Sequence, residues 1–138
     1  MMGTPTVFFD CDSTLIMWDM EGSPSALSFI LYGKTYRLVP HQKHIDKLKE
    51  HKAEGFSIVV WSAGGKEWAE EVVKVLNLGT YVDTIISKPT YYYDDLTSPR
   101  FLHEHKRIYY PFGSDWMETT EVDTDDFMQP PPLPKVAE

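Results

Sequence analysis

The stretch that decides the fold is Val7-Phe8-Phe9-Asp10-Cys11-Asp12-Ser13-Thr14-Leu15, in which a short apolar run stops at two carboxylates. The apolar residues predict a buried strand, which puts Asp10 at its carboxyl end. In a parallel α/β sheet, ligands bind at that edge. Two neighbouring carboxylates at the edge of an apolar core are costly unless a cation lies between them, and a hard divalent ion such as Mg²⁺ meets that need. The plain alternative is a turn or a helix cap.

Composition argues against several classes of protein. A chain of 138 residues suits one domain with a real core. The net charge of −8 argues against binding nucleic acid or an anionic membrane through bulk charge. No apolar stretch approaches the ~20 residues of a membrane span, and the amino terminus lacks a signal-peptide pattern. We therefore expect a cytoplasmic protein with no membrane partner.

The single cysteine, Cys11, lies between the two aspartates. It excludes an internal disulfide and suits a reducing compartment. We interpret it as a small apolar residue that faces the core rather than as a nucleophile.

Downstream of the first strand, strand-like and helix-like segments alternate. Two strand-like runs, 27–32 and 35–39, flank Gly33 and Lys34 and predict a β-hairpin. Helices are predicted over 40–54, with Pro40 in the first turn, and over 66–77. This alternation predicts an α/β fold: a three-layer, Rossmann-like parallel sheet with a β-hairpin flap. The remaining predicted segments are strands over 56–61, 82–86 and 90–93, an edge strand over 108–112 and a loop over 16–25.

Residues 1–116 are predicted to form one domain, and residues 117–138 a flexible tail. The tail is acidic first and then rich in proline. Such a proline run can dock in an aromatic groove of a partner, but a solvated tail is the favoured interpretation.

Polar residues follow four of the predicted strands. Because the carboxyl ends of parallel strands share one edge of a sheet, residues distant in sequence are expected to meet there. Carboxylates hold a cation, a hydroxyl and the amides at a helix start hold phosphoryl oxygens, and a lysine adds positive charge. This combination predicts phosphoryl transfer, which depends on positioning and charge neutralisation. The residues are Asp10 and Asp12, then Ser62 with the amides of Ala63 and Gly64, then Lys88, then Asp94 and Asp95.

Each of these groups also has a purely structural interpretation. Ser62 is a helix cap, Lys88 a surface charge before a proline, and the Asp94–Asp95 pair a solvated turn. Each motif alone is weak, and it is their order along the chain that favours the chemical interpretation.

In this ordered set the chain resembles the haloacid dehalogenase (HAD) superfamily, the aspartate-nucleophile phosphatases. The four motifs of that superfamily have counterparts in residues 10–14, in Ser62, in Lys88 and in the acidic pair at 94–95. The chain is similar to small, capless HAD-like phosphatases of the phage and bacterial type, although Ser13 replaces the glycine of many relatives. Receiver domains of response regulators use similar groups, but their phosphorylated aspartate lies mid-chain, where this chain has Ser62.

The resemblance implies a phosphomonoester hydrolase that works through an aspartyl-phosphate. Asp10 is implied as the nucleophile and Asp12 as acid and base, with Lys88 stabilising the developing charge. The residues implied to bind the phosphate are Ser62, Ala63, Gly64 and Lys88. The implied ligands of Mg²⁺ are Asp10, Asp12, Asp94 and Asp95. Asp12 is expected to bind through its backbone carbonyl, Asp94 directly and Asp95 through water.

The resemblance also implies an open site, because the spacing of the motifs leaves no room for a large cap domain. An open site suits a phosphorylated small molecule or macromolecule: a nucleotide, a nucleic-acid end or a phosphoprotein. Trp18, Tyr32 and Tyr36 either stack on a base or, as favoured here, pack the flap. The alternative function is a HAD-fold binding or regulatory module with little or no turnover.

Other polar groups receive structural interpretations. Residues 100–107 form a basic segment, interpreted as a solvated helix or turn rather than as a contact for a phosphate backbone. His103 and His105 alternate as ligands on a strand would, but two histidines are weak evidence for zinc. His41 and His44 have helical spacing and are predicted to lie on the surface.

Overall fold

The computed structural model describes residues 3–18 and 24–112. Its contacts divide the chain into two units, one that ends at Lys88 and one that begins at Pro89, and each is described by itself. The first unit contains β1 (Thr6–Asp10), β2 (Ile16–Trp18), β3 (Leu27–Leu31), β4 (Lys34–Pro40), α1 (Gln42–Ala53), β5 (Ser57–Ser62), α2 (Lys66–Val75) and β6 (Thr84–Ser87). The second contains the short helix α3 (Ser98–Phe101) and a 3₁₀ turn (Glu104–Lys106).

A parallel sheet of three strands, in the order β1-β5-β6, forms the centre of the first unit. Asp10 is paired with Trp61, and Ser62 with Ser87, so the carboxyl ends of all three strands lie at one edge. The predicted α/β fold is confirmed, and the described residues include no large cap.

One apolar core joins the sheet to both long helices. Alternate residues of β1 and β5, among them Phe9, Ile58 and Val60, are buried together with the apolar faces of the helices. Cys11 belongs to the same core and is fully buried, which confirms its interpretation as an apolar filler. Truncating a fully buried residue of this core such as Leu48 to alanine is expected to cost about 2–5 kcal/mol.

The predicted hairpin is part of an antiparallel sheet of three strands, in the order β2-β4-β3. Its third strand is Ile16–Trp18, which pairs with Pro40, Val39 and Leu38 of β4, so the prediction of a loop over 16–25 was wrong for these residues. A three-residue run is too short to show a period, and its partners lie twenty or more positions away.

The turn of the hairpin lies one residue earlier than predicted. Leu31 pairs with Lys34, which leaves Tyr32 and Gly33 as the two loop residues. Both have positive φ, 54° and 75°, as the tight turn that suits the twist of a hairpin requires.

Helix α1 begins later than predicted, because Pro40 belongs to β4 and pairs with Ile16. His41 is the N-cap instead, and its Nδ1 accepts a hydrogen bond from the amide of His44 at 3.3 Å. Both histidines are buried, with 0% and 3% of their surface exposed, so the prediction that they lie on the surface was wrong. Their helical spacing was correct, but that spacing does not reveal which face of the helix meets the core.

Two predicted strands do not form in the second unit. Residues 90–93 contain no strand, and residues 108–112 contain only a single β-bridge residue, Tyr109. The tyrosines of the first segment are largely exposed, with Tyr93 fully so. Alternating apolar residues favour a strand only where a partner strand supplies hydrogen bonds. The acidic pair at 94–95 therefore does not follow a strand. The predicted tail at 117–138 and the domain boundary before it lie outside the described residues.

None of the helices in the part of the chain that the structure describes has the length and apolar character to cross a membrane.

Candidate active site

Residues 11–15, between β1 and β2, form an acidic loop. Hydrogen bonds within its own backbone fix its conformation. The amides of Thr14, Leu15 and Ile16 all donate to the carbonyl oxygen of Cys11, at 3.1, 2.9 and 3.1 Å. Ser13 has a φ of 64°, in the left-handed region that glycine tolerates best. The loop therefore forms with a serine at this position, at a conformational cost of about 1–2 kcal/mol.

Asp10 lies at the end of β1 with its carboxylate between a hydroxyl and an ammonium group. Thr14 Oγ1 donates to Asp10 Oδ2 at 3.3 Å, and Lys88 Nζ lies 3.5 Å from Asp10 Oδ1. The side chains of Asp10 and Lys88 are 31% and 38% exposed, so the pair is accessible from solvent. A carboxylate held in this way is oriented and still available to attack an electrophile.

Asp12 has different surroundings. Its Oδ1 accepts a hydrogen bond of 2.8 Å from the indole Nε1 of Trp68, in helix α2. Partial burial raises the pKa of the Asp12 carboxyl above its usual value; the Trp68 hydrogen bond opposes that change, and the nearby charge of Asp10 adds to it. A carboxyl group with a raised pKa is better suited to hold and deliver a proton.

Cys11 between them is chemically inert. Burial, together with the charges of Asp10 and Asp12, strongly raises the pKa of its thiol. The thiol is therefore neutral at pH 7 and is not a nucleophile.

The segment after β5 places Ser62 and the following amides at the start of α2. Ser62 is buried, and its Oγ accepts a hydrogen bond from the amide of Gly64 at 2.9 Å. A Cβ at Gly64 would lie 3.3 Å from both Ser62 Oγ and Trp68 Cδ1, so this position has little room for a side chain. Ser62 thus orders the turn that presents the amides of Ala63 and Gly64, and the hydrogen bond from Gly64 is the one that a phosphoryl oxygen would compete for.

Lys88 is anchored from two sides. Its backbone amide donates to the carbonyl oxygen of Ser62 at 2.9 Å, which continues the pairing of β5 with β6. Its Nζ lies 5.8 Å from the ring centre of Trp61, within range of a cation–π contact. These contacts hold the ammonium group beside Asp10 rather than free in solvent.

A buried pair of histidines, His41 and His44, makes hydrogen bonds to the acidic loop. The amide of His41 donates to Leu15 O at 2.9 Å, and His44 Nδ1 lies 2.7 Å from Thr14 O. Because a carbonyl oxygen only accepts, His44 Nδ1 must carry the hydrogen. Burial lowers the pKa of His44 to about 4, with the adjacent His41 contributing in the same direction. His44 is therefore neutral at pH 7.

The structure brings four of the predicted site residues together in the first unit, namely Asp10, Asp12, Ser62 and Lys88. Asp94 and Asp95 belong to the second unit, where Asp94 Oδ1 accepts a hydrogen bond from the amide of Leu96 at 2.8 Å. Their role as metal ligands stays a prediction.

The donor atoms at the edge of the sheet are of the kind that Mg²⁺ prefers. The carboxylate of Asp10 and the backbone carbonyl of Asp12 are hard oxygen ligands, and the rest of the coordination shell of Mg²⁺ usually comes from water and from the substrate phosphate. Among the described residues there is no group of three or more His, Cys, Asp or Glu side chains that could hold a metal. The two oxygen groups at Asp10 and Asp12 are therefore compatible with Mg²⁺ as part of its coordination shell.

Two contacts at the candidate site were not predicted from the sequence. Trp68 packs in the apolar core, and its N–H also donates to Asp12. His44 was placed on the surface, whereas it holds the loop through Thr14. The available signals were an indole donor in the first turn of a helix that follows a strand end, and two histidines at a helix start directly after apolar residues.

A parallel sheet with an acidic loop after its first strand, a serine turn after its second and a lysine after its third defines a phosphatase fold of the HAD type. The comparison with known families agrees: the model of the NLI interacting factor-like phosphatase family matches residues 5–100. The chain belongs to this family. No match was found among curated proteins or among solved structures.

Proposed function

We propose that this protein is a Mg²⁺-dependent phosphomonoester hydrolase that acts through an aspartyl-phosphate on Asp10. The observation that carries the proposal is the difference in surroundings between two neighbouring carboxylates. Asp10 lies 3.5 Å from Lys88 Nζ, whereas Asp12 is half-buried and hydrogen-bonded to Trp68. Such a difference separates a nucleophile from a proton donor.

In the first step, an oxygen of the Asp10 carboxylate forms a bond to the phosphorus of the monoester. The bond from phosphorus to the leaving oxygen breaks at the same time. That oxygen takes the proton of the Asp12 carboxyl group and departs as an alcohol, which leaves Asp12 as a carboxylate.

In the second step, Asp12 takes a proton from water as the water oxygen bonds to phosphorus. The bond from Asp10 to phosphorus breaks, inorganic phosphate leaves, and both side chains return to their starting protonation states. Lys88 stabilises the charge that develops on the phosphoryl oxygens, and Ser62 with the amides of Ala63 and Gly64 binds them.

Mg²⁺ bound by the Asp10 carboxylate and the backbone carbonyl of Asp12 would neutralise charge and orient the phosphoryl group. Asp94, and Asp95 through water, are proposed as its further ligands. The proposed substrate is a phosphorylated small molecule or macromolecule, and the single buried cysteine supports the cytoplasm as the compartment.

The test is hydrolysis of p-nitrophenyl phosphate with Mg²⁺ and with EDTA. The Asp10→Asn variant should lose activity by about 10³-fold or more and still fold. The matched control is Asp46→Asn, which changes an exposed carboxylate on α1 and should retain the parental rate. Asp10→Asn activity at the parental rate would overturn the mechanism.

A second measurement tests the intermediate. After an acid quench, protein-bound phosphate should be detected with Asp12→Asn at a higher level than with the parental chain, because this variant lacks the base for the second step. A folded protein that binds inorganic phosphate but hydrolyses no monoester would support the alternative, a binding or regulatory module.

A further inference from the structure

An aromatic cleft lies beside Asp12 in the first unit. Its volume is about 260 Å³. It reaches two residues of the site, Asp12 and Gly64, and its walls are largely aromatic. The four rings that line it are Trp18, Tyr32, Tyr36 and Trp68.

We propose that this aromatic cleft receives the leaving group of the substrate, and that this group is an aromatic ring bonded directly to the ester oxygen. The substrate class is then an aryl phosphomonoester, of which a phosphorylated tyrosine side chain is the protein-borne form. The proposal rests on the proposed function, because the leaving oxygen must reach Asp12 to take its proton.

The rings of the cleft leave apolar surface exposed to solvent beside Asp12. Trp18 and Trp68 are nearly parallel, with their centres 5.9 Å apart and their planes at 22°, and Tyr36 meets Trp68 edge-on at 4.9 Å. Trp18 nevertheless remains 43% exposed and Tyr32 71% exposed. A further ring placed among them would gain the stacked and edge-to-face contacts that these rings already make with one another.

The size and polarity of the cleft favour a ring over a sugar. A cavity of roughly 150 Å³ is enough to hold one benzene ring, and this cleft is larger than that. Two of its polar side-chain groups are already engaged, since Trp68 Nε1 donates to Asp12 and the hydroxyl of Tyr32 donates to Glu67. The hydroxyls of a sugar would find fewer hydrogen-bond partners there than in water, a cost that an aromatic ring avoids.

Charge argues against a nucleic acid as the occupant. The carboxylate of Glu67 accepts a hydrogen bond from the hydroxyl of Tyr32 at the cleft, and the chain carries a net charge of −8. A polyanion would be repelled by both, whereas an aryl monoester brings only the phosphoryl charge that the site is built to neutralise. In the reaction, the phenol oxygen takes the proton of Asp12 as its bond to phosphorus breaks and the bond from Asp10 forms.

The test compares phenyl phosphate with glycerol 2-phosphate in the parental chain and in Tyr32→Ala. A phenolate leaves more easily than an alkoxide on any enzyme, so the quantity to follow is how the ratio of the two kcat/KM values changes with the variant. We expect Tyr32→Ala to lower that ratio about tenfold. Trp18→Ala should lower it as well, which guards against an effect confined to the hairpin turn.

The matched control is Ile30→Ala. Ile30 lies in the same hairpin and is 67% exposed, close to the exposure of Tyr32, but it does not line the cleft. The ratio of the two kcat/KM values in Ile30→Ala should stay within about twofold of the parental ratio, because Ile30 makes no contact that a ligand in the cleft would use. A ratio that is equal in the parental chain, Tyr32→Ala and Trp18→Ala would overturn the proposal.

A binding experiment separates this proposal from the catalytic one. Calorimetry with Mg²⁺ would compare phenylphosphonate with methylphosphonate, neither of which can be hydrolysed. Tighter binding of phenylphosphonate that is lost in Tyr32→Ala supports the cleft even if no monoester is hydrolysed and the catalytic proposal fails. Equal binding of the two phosphonates, or fastest hydrolysis of a 3′-phosphorylated oligonucleotide without an effect of Tyr32→Ala, overturns the cleft and leaves the catalytic proposal standing.

Discussion

The indole Nε1 of Trp68 donates a 2.8 Å hydrogen bond to Oδ1 of Asp12, so a side chain of α2 holds a carboxylate that lies 56 positions earlier in the chain. The same ring is a wall of the aromatic cleft and a member of the core. Through Trp68, the packing of the helix is coupled to the geometry of Asp12, the proposed proton donor.

Replacing Trp68 by phenylalanine should keep most of the packing and remove the hydrogen bond to Asp12. A donor to a carboxylate stabilises its ionised form, so removing it should raise the pKa of Asp12 further. Because Asp12 must be protonated to act as the acid, the decline of kcat/KM at high pH should move towards higher pH. The pH profile for p-nitrophenyl phosphate measures this shift.

The control for this prediction is a double-mutant cycle with Asp12→Asn. In that background there is no carboxyl group to titrate, and Trp68→Phe should have no further effect on the pH profile. An unchanged profile of the single Trp68→Phe variant would contradict the proposed role of Asp12 as acid.

Replacing Lys88 by methionine should remove the positive charge beside Asp10 and keep the length of the side chain. We expect kcat to fall by about 10²–10³-fold, in the range of losing one group that stabilises the transition-state charge. Steady-state kinetics with Mg²⁺ measures the effect. Lys74→Met, at an exposed position near the end of α2, should leave kcat unchanged, and equal losses in the two variants would argue against a local role for Lys88.

Stability should fall as the pH drops from about 6.5 to about 4, because the pKa of His44 is lowered to about 4 in the folded state from 6.5. Over that interval the unfolded chain binds a proton that the folded chain excludes, so the contribution is present above pH 6.5 and is lost on acidification. Its size is up to about 3 kcal/mol. Urea unfolding at pH 7 and pH 5 measures the free energy of unfolding.

The variant for this test is His44→Asn. An asparagine amide can replace Nδ1 as the donor to Thr14 O, and it does not titrate in this range. The part of the pH dependence that belongs to His44 should disappear in this variant, whereas His103→Asn, at an exposed position, should behave as the parental chain. An unchanged pH dependence of His44→Asn would mean that other groups account for it.

The left-handed backbone at Ser13 predicts opposite effects of two substitutions. Ser13→Gly should raise the free energy of unfolding by up to about 1 kcal/mol, since strain is relieved at some cost in chain entropy. Ser13→Val should lower it, because a β-branched residue tolerates positive φ poorly. Ser28, an exposed residue of β3, is the control position. There the valine variant should have the higher free energy of unfolding and the glycine variant the lower, since strands favour valine over glycine.

Much of the fold could be predicted because its signals are local. The apolar run before Asp10, the one before Ser62 and the helical stripe of α2 are each visible within about ten residues, and all three elements form close to the predicted bounds. The placement of Lys88 near Asp10 then follows from topology, because parallel strands connected by helices end at one edge of the sheet.

Predictions from local sequence patterns failed where the structure of a segment depends on a partner that is distant in the chain. The segment over 90–93 has the residues of a strand but forms none, and Ile16–Trp18 is a strand because β4 pairs with it. His41 and His44 show the same limit, since a polar residue on a helix is buried or exposed according to what packs against it.

The sequence by itself determined the order of the main strands and helices and the kinds of chemical group that follow the strands. Both depend on short-range patterns of apolar and polar residues. Only the tertiary structure decided which donor holds Asp12, which histidine supports the loop and which rings surround the cleft. These are contacts between residues far apart in the chain, and their geometry is set by the packing of the whole core.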